Sequence, residues 1–136
     1  MLEKMESWLQ TFPGWEDVLH FDYADGIPGS GGLYPRGVEE LSRREDVLGN
    51  TVVRCRVTFL LRRTACPGKD SARWLLELQK WVMEQDLLGL TPKFGDEPRT
   101  ERLRAEQGKL EKSFQVGSGF YTVLLHAEFT KIYEVK

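Results

Sequence analysis

The sequence contains 136 residues with a net charge of −2, and 40% of its residues are hydrophobic and 29% are charged. These values fit one globular domain, because a chain of this length can bury its own core and its longest apolar runs are too short to span a membrane. They disfavour a dedicated nucleic-acid-binding protein, since the neutralisation of phosphates needs a clear excess of basic residues.

The N-terminal residues predict a short helix followed by a short strand. Apolar side chains recur at helical spacing over residues 2–10, and Pro13 ends this helix. Because the segment is acidic and lacks an apolar stretch, we expect no secretory signal. Residues 18–23 then alternate in the manner of a first strand.

A long Gly-rich and charge-dense segment at about residues 25–50 predicts a protruding loop. Loops of this length in a small domain are usually functional or disordered. Apolar side chains lie among its charges, unlike those of a solvated linker: Leu33, Tyr34, Val38, Leu41, Val47 and Leu48. We therefore expect a surface for a partner, poorly ordered or packed against that partner in the isolated chain.

Residues 51–63 show the clearest strand pattern in the chain. Apolar side chains alternate with a second set that includes Arg54, Arg56 and Arg62. The apolar set consists of Val53, Cys55, Val57, Phe59 and Leu61. One apolar face and one arginine-bearing face predict a sheet that is covered on one side only. Cys55 and Cys66 lack the spacing of a metal site, and we expect reduced thiols.

The second half of the chain predicts one main helix and further strands. Asp70 or Ser71 caps a helix that continues to about Leu88 and ends at Gly89. Its apolar stripe, wide enough to cover a sheet, comprises Trp74, Leu75, Leu78, Trp81, Val82, Gln85 and Leu88. The remaining segments predict an exposed strand at 99–108, a short extended segment at 110–116 and a final strand at 120–135.

Together these elements predict a single α+β domain over residues 1–136. We expect a mostly antiparallel sheet of about four to five strands. The main helix, at about 71–88, and the short N-terminal helix are expected to pack on one face of that sheet.

The residues give no support for catalysis or for a cofactor. His20 and His126 could ligate zinc only if their strands were neighbours, and nothing nearby completes a set of three or four ligands. Residues 29–32 resemble a phosphate-binding loop only superficially, because they neither lead to the required lysine nor begin a helix. We expect a protein that is not an enzyme and that binds no metal or cofactor.

The arginines of the strand at 51–63 allow three interpretations. They can form a solvated sheet face with counter-charges from Glu101, Glu106 and Glu111, a charged interface between subunits, or a contact to DNA. The lack of a basic excess and of a recognition motif makes DNA the least favoured of the three.

A resemblance to a known family lies in residues 32–50 and the arginine-rich strand that follows. These residues read Gly-Leu-Tyr-Pro-Arg-Gly-Val-Glu-Glu-Leu-Ser-Arg-Arg-Glu-Asp-Val-Leu-Gly-Asn. The order resembles small tail proteins of Gram-positive phages and prophages, which are described as minor capsid or tail-completion proteins and are similar to tail terminators. The match continues through the tryptophan-bearing helix to the last strand, so it covers the chain from about residue 15 onward.

The resemblance implies a structural component of the virion that is assembled in the cytoplasm of the bacterial host. Tail terminators form a ring, usually six-fold, on the end of the tail tube. The implied partners are further copies of the chain in a hexameric ring, the tail-tube protein and the head connector protein, with no membrane and no specific nucleic acid. The alternatives are a stopper or adaptor of the head–tail connector and, less favoured, a small enzyme or a nucleic-acid-associated protein. The candidate assembly interface consists of Leu33, Tyr34, Arg36, Arg43, Arg44, Glu45, Asp46, Arg54 and Arg56.

Overall fold

The computed structural model describes residues 1–14, 19–21, 31–64, 70–112 and 119–135. In chain order the elements are helix α1 (Leu2–Leu9), strands β1 (Leu19–Phe21), β2 (Gly31–Glu45) and β3 (Thr51–Thr64), helix α2 (Asp70–Leu87), a 3-10 turn (Pro98–Thr100), and strands β4 (Arg102–Lys112) and β5 (Gly119–Tyr133). Within these ranges neither helix has the length and apolar character needed to cross a bilayer.

The strands form one sheet in the order β1-β2-β3-β5-β4. The four long strands, β2 to β5, are antiparallel to their neighbours, and the three-residue β1 runs parallel to the start of β2. An antiparallel four-strand sheet with two helices is an α+β fold, so this part of the prediction is confirmed. Among the described strands, β2 has neighbours on both sides only at residues 31–33, and its remaining length is an edge of the sheet.

The two faces of the sheet differ as the alternation of residues 51–63 predicts. Val57, Phe59 and Leu61 of β3 are buried, whereas Arg54 and Arg56 of the alternate set remain partly exposed. Buried side chains of the sheet and of both helices belong to one core cluster, which includes Met5, Leu9, Leu33, Phe59, Leu78, Val82, Leu103, Leu125 and Phe129. The arginine-bearing face lies on the other side of the sheet.

The α2 helix ends where glycine allows a reversal. Gly89 has a φ of +71°, its N–H donates to the Asp86 carbonyl, and the Leu90 N–H donates to the Gln85 carbonyl. These two hydrogen bonds form a Schellman motif, which satisfies the last carbonyls of the helix. The prediction that Leu88 belongs to the sheet-covering stripe is wrong, because the Leu88 side chain is mostly exposed at this end.

The prediction of a loop at about 25–50 is wrong for residues 31–45, which form β2. Side chains from 35 to 45 are exposed on both faces, so the sequence there has no apolar alternation to reveal a strand. Register shifts after Pro35 and after Glu40 interrupt the pattern further. The part of the predicted loop before residue 31 lies outside the described residues. The extended segment predicted at 110–116 is, up to residue 112, the end of β4.

Candidate assembly surfaces

The turn that joins β2 to β3 is fixed by one carboxylate. Asp46 accepts hydrogen bonds from the backbone N–H groups of Leu48 and Asn50, each at 2.9 Å, and from the Asn50 side-chain amide at 3.1 Å. Burial opposes ionisation of Asp46, but the hydrogen bonds from Asn50 and Leu48 hold the pKa of its carboxyl below the usual value. Gly49 supplies the left-handed conformation of the turn, with a φ of +85°. The turn is therefore held in one conformation by its own side chains.

This turn displays apolar side chains to solvent. Val47 is fully exposed and Leu48 is 79% exposed. The exposed side chains of Tyr133 and Val135 follow the end of β5 next to the turn, since the Val135 N–H donates to Asn50 Oδ1 at 3.1 Å. We call Val47, Leu48, Tyr133 and Val135 the hairpin end. Grouped, exposed apolar side chains of this kind mark sites of protein–protein interaction.

An open groove of about 550 Å³ adjoins the hairpin end on the core side of the sheet. Val53 and Cys55 contribute apolar lining, and the ion pair between Arg43 Nε and Glu40 Oε1, at 2.6 Å, lies at its border. Burial raises the pKa of the Cys55 thiol, so this side chain acts as a small protonated apolar group. The groove thus continues the apolar surface of the hairpin end through Val53 and Cys55, and it adds the charged groups of Arg43 and Glu40 at the border.

A second apolar surface lies on the outer side of α2. Leu76, Met83 and Leu87 are mostly exposed, and at 3.6 residues per turn they lie within about 40° of one another around the helix. The buried side chains Leu78 and Val82 lie on the other side, toward the core. A helix that is apolar on both sides is typical of one that is covered on both sides. We call Leu76, Met83 and Leu87 the α2 stripe.

The arginine-bearing face of the sheet carries a row of alternating charges across all four long strands. Glu39 of β2, Arg56 of β3, Glu128 of β5 and Arg102 of β4 are neighbours in register. Arg56 Nη1 is 3.0 Å from Glu39 Oε1, and Arg56 Nη2 is 3.8 Å from Glu128 Oε1. Arg56 is thus held by carboxylates from both adjacent strands, which fixes its guanidinium in the plane of the face.

Arg54, by contrast, is held by neutral groups. Its Nη1 donates to Thr130 Oγ1 at 3.0 Å, and its Nη2 donates to the Thr100 carbonyl at 2.9 Å. The predicted counter-charges from Glu101 and Glu106 are wrong for this arginine. Glu101 instead accepts hydrogen bonds from backbone N–H groups at residues 94 and 95, and Glu106 pairs with a neighbour on its own strand. The Glu111 side chain lies outside the described residues.

His126 lies on the same face between a hydroxyl and a carboxylate. Thr58 Oγ1 is 3.0 Å from His126 Nδ1, and His126 Nε2 is 3.5 Å from Glu106 Oε2. Glu106 also pairs with Arg104 at 2.8 Å. Burial is the largest effect on the pKa of His126 and lowers it, so the imidazole is neutral at pH 7.

This constellation has the residue types of a nucleophile, a base and an orienting acid, but its setting is an open sheet face. The adjacent groove, of about 440 Å³, is lined by Thr58 and Glu39 and does not include His126. Among the described residues, no group of three or more His, Cys, Asp and Glu side chains could hold a metal ion. His20 lies in β1, and its side chain is outside the described part.

The structure divides the predicted interface residues into four groups. Leu33 is fully buried in the core, which removes it from the surface set. Tyr34 is half-buried, and the Arg62 guanidinium carbon lies 5.4 Å from the centre of the Tyr34 ring. Arg54 and Arg56 are held by the contacts on the arginine-bearing face described above. Asp46 is partly buried and fixes the turn. The exposed members are Arg36, Arg43, Arg44 and Glu45, all on the edge strand β2.

Val47 and Leu48 are named from the sequence as apolar side chains of an expected partner surface, but they are left out of the candidate assembly interface. The exposed apolar side chains of α2 are not identified from the sequence. Leu76, Met83 and Leu87 recur at i, i+7 and i+11, which is itself a helical spacing. These three side chains form a second apolar stripe on a helix that already has a wider, core-facing stripe. That second stripe is the signal in the sequence that could have revealed the exposed surface.

No family model and no curated protein matches this sequence.

Proposed function

We propose that the protein is a tail-completion protein of the tail-terminator type, which forms a ring on the end of a phage tail tube and joins that tube to the head connector. The observation that carries this proposal is the hairpin end, where a turn held by its own side chains presents mostly exposed apolar side chains. The resemblance of residues 32–50 to tail-completion proteins supports the same class. In this proposal the chain is a virion component and performs no catalysis.

We also propose that the hairpin end of one copy packs against the α2 stripe of the next copy. Both surfaces are apolar, and they belong to different elements of the chain. A contact between two different surfaces is heterologous, and it generates a closed ring when the rotation between copies closes. A six-fold ring is one such closure.

The proposed ring requires both helices to lie on one face of the sheet. Two contacts support this arrangement: Trp8 of α1 stacks on Trp81 of α2 with ring centres 4.7 Å apart, and Trp8 Nε1 donates to Gln85 Oε1 at 3.1 Å. The side chains that α1 and α2 bury belong to the same core cluster as the apolar face of the sheet. The arginine-bearing face and the edge strand β2 then remain for the tube and the connector.

The free chain is expected to stay monomeric at low concentration until the end of a tube templates the ring. The hairpin end and the α2 stripe each offer only three or four apolar side chains, which is less than a stable permanent interface normally buries. A stable ring of the isolated chain at low concentration would contradict this part of the proposal.

The test mixes the purified chain with tail-tube protein encoded in the same phage genome and measures tube length by negative-stain electron microscopy. Added chain should produce tubes of limited length with a ring of density at one end. The double variant Val47→Asp, Leu48→Asp should form no rings on the tubes. Both side chains project into solvent, so the substitutions leave the core intact. Uncapped tubes of unchanged length with the native chain would refute the terminator function.

The same experiment separates the alternative classes. A chain that binds the head connector protein but leaves tube length unchanged is a stopper or adaptor. The comparison thus assigns the class from the partner that is bound, without any assumption about ring size.

A further inference from the structure

The arginine-bearing face is strongly basic although the whole chain is acidic. Among the described side chains, the strand registers place seven cations on this face: Arg44, Arg54, Arg56, Arg62, Arg102, Arg104 and Lys109. The same registers place three carboxylates there, those of Glu39, Glu106 and Glu128. The described side chains of this face therefore have an excess of four positive charges, in a chain whose net charge is −2.

The geometry points to this face as a docking surface for an acidic protein surface with an apolar centre, an inference that depends on the proposed assembly function. Leu60 and Leu124 are opposite each other in register and half-exposed at the middle of the face. Basic side chains surround them on the outer strands. A charged border around an apolar centre is the usual anatomy of a protein interface.

Two of these cations, Arg54 and Arg102, are held by neutral groups of the described residues. The Arg54 guanidinium is held by two threonines, and Arg102 Nη1 donates to the Glu101 backbone carbonyl at 2.9 Å. Such guanidinium groups keep their charge and lose little rotamer freedom when they bind a carboxylate. They are therefore well prepared for carboxylates that a partner supplies.

Nucleic acid and a second copy of this face are both less suitable partners for the arginine-bearing face than an acidic protein surface. Glu39, Glu106 and Glu128 lie among the cations and would repel a phosphate backbone, and the net charge of the chain disfavours a polyanion at long range. Two copies of the face would bring like charges together, which costs free energy at an interface. An acidic protein surface can instead pair with the cations and cover Leu60 and Leu124.

The test measures binding of two fluorescent probes to the full chain by anisotropy. One probe is an amphipathic helical peptide of glutamate and leucine, and the other is a DNA duplex of about 20 base pairs. The peptide should bind more tightly than the duplex, and its affinity should fall between about 50 and 200 mM NaCl. If the duplex binds as tightly as the peptide, and if the substitutions that abolish peptide binding also abolish duplex binding, the face binds nucleic acid and the inference is overturned.

Charge-reversal variants locate the binding surface. The double variant Arg44→Glu, Arg102→Glu changes two exposed side chains at opposite sides of the face and should weaken peptide binding about tenfold. The matched control, Lys4→Glu with Lys93→Glu, makes the same change of charge near α1 and should leave peptide affinity unchanged. Equal loss in both double variants would overturn the inference, because it would show a dependence on net charge alone.

The two proposals fail in different measurements. Arg44→Glu with Arg102→Glu should lose peptide affinity and keep the sedimentation behaviour of the parent, whereas Val47→Asp with Leu48→Asp should lose rings and keep peptide affinity. Leu124→Ser tests the apolar centre without a change of charge and should weaken peptide binding severalfold. Circular dichroism melting of each variant separates a folding defect from a binding defect.

Discussion

Replacing Leu48 by alanine should weaken assembly and leave the fold unchanged. The Leu48 side chain is 79% exposed, and full burial of a leucine side chain is worth about 1.5–3 kcal/mol. Burying its exposed part against a neighbouring copy therefore contributes about 1–2 kcal/mol per contact. The dissociation constant between neighbouring copies should rise about 5- to 30-fold, since about 1.4 kcal/mol corresponds to a factor of ten.

The assay is sedimentation velocity over a concentration series, with a melting curve for each sample. The assembly midpoint of Leu48→Ala should shift to higher concentration, and its melting temperature should stay within about 1–2 °C of the parent, as exposed substitutions usually do. Leu88→Ala is the matched control, because Leu88 is similarly exposed but lies outside the hairpin end and the α2 stripe.

Two results would refute this reasoning. If Leu48→Ala assembles at the same concentration as the parent, the hairpin end does not form the contact between copies. If Leu88→Ala shifts the midpoint as much as Leu48→Ala does, the loss follows from general surface hydrophobicity and the specific contact is wrong.

Three further predictions concern other parts of the structure. Leu76→Gln with Met83→Gln should raise the assembly midpoint about as much as Leu48→Ala in the same sedimentation series, because it makes the other side of the proposed contact polar; an unchanged midpoint would remove α2 from the interface. Gly95→Ala should cost about 1–3 kcal/mol in urea unfolding, because the new Cβ would clash with the Thr130 backbone; a stability equal to that of the parent would show that the segment can move away. The pKa of His126 is lowered in the folded state, so its contribution to stability is present above about pH 6.5 and is lost as pH falls through the folded pKa. Urea unfolding from about pH 7.5 to 5 should accordingly show a smaller loss of stability in His126→Gln than in the parent, and parallel curves would contradict the assigned burial.

The strand that the sequence predicts best is the one whose two faces meet different surroundings. In β3, Val57 and Phe59 are buried while Arg56 and Thr58, which alternate with them, are partly exposed, so the alternation in composition mirrors a difference in burial. In β2, side chains such as Glu39 and Glu40 are exposed on both faces. Because burial does not alternate along that strand, its composition does not alternate either, and the sequence pattern does not reveal the strand.

The charge partners of the sheet face could not be predicted because they depend on long-range register. Arg56 pairs with Glu39, 17 residues earlier, and with Glu128 on the last strand of the sheet. Both contacts follow from which strands are neighbours and from bulges that shift β2 by a residue. Sequence alone gives the presence of carboxylates but not which of them reaches a given arginine.

The irregular edge of β2 affects how readily a second chain could pair with this sheet. A straight, unpaired strand edge offers its backbone N–H and C=O groups to any other chain and can begin amyloid-like stacking. Here Pro35 has no N–H to offer, Gly37 adopts a φ of +117°, and a second bulge follows Glu40. These irregularities disfavour backbone-to-backbone joining of two chains along this part of the β2 edge.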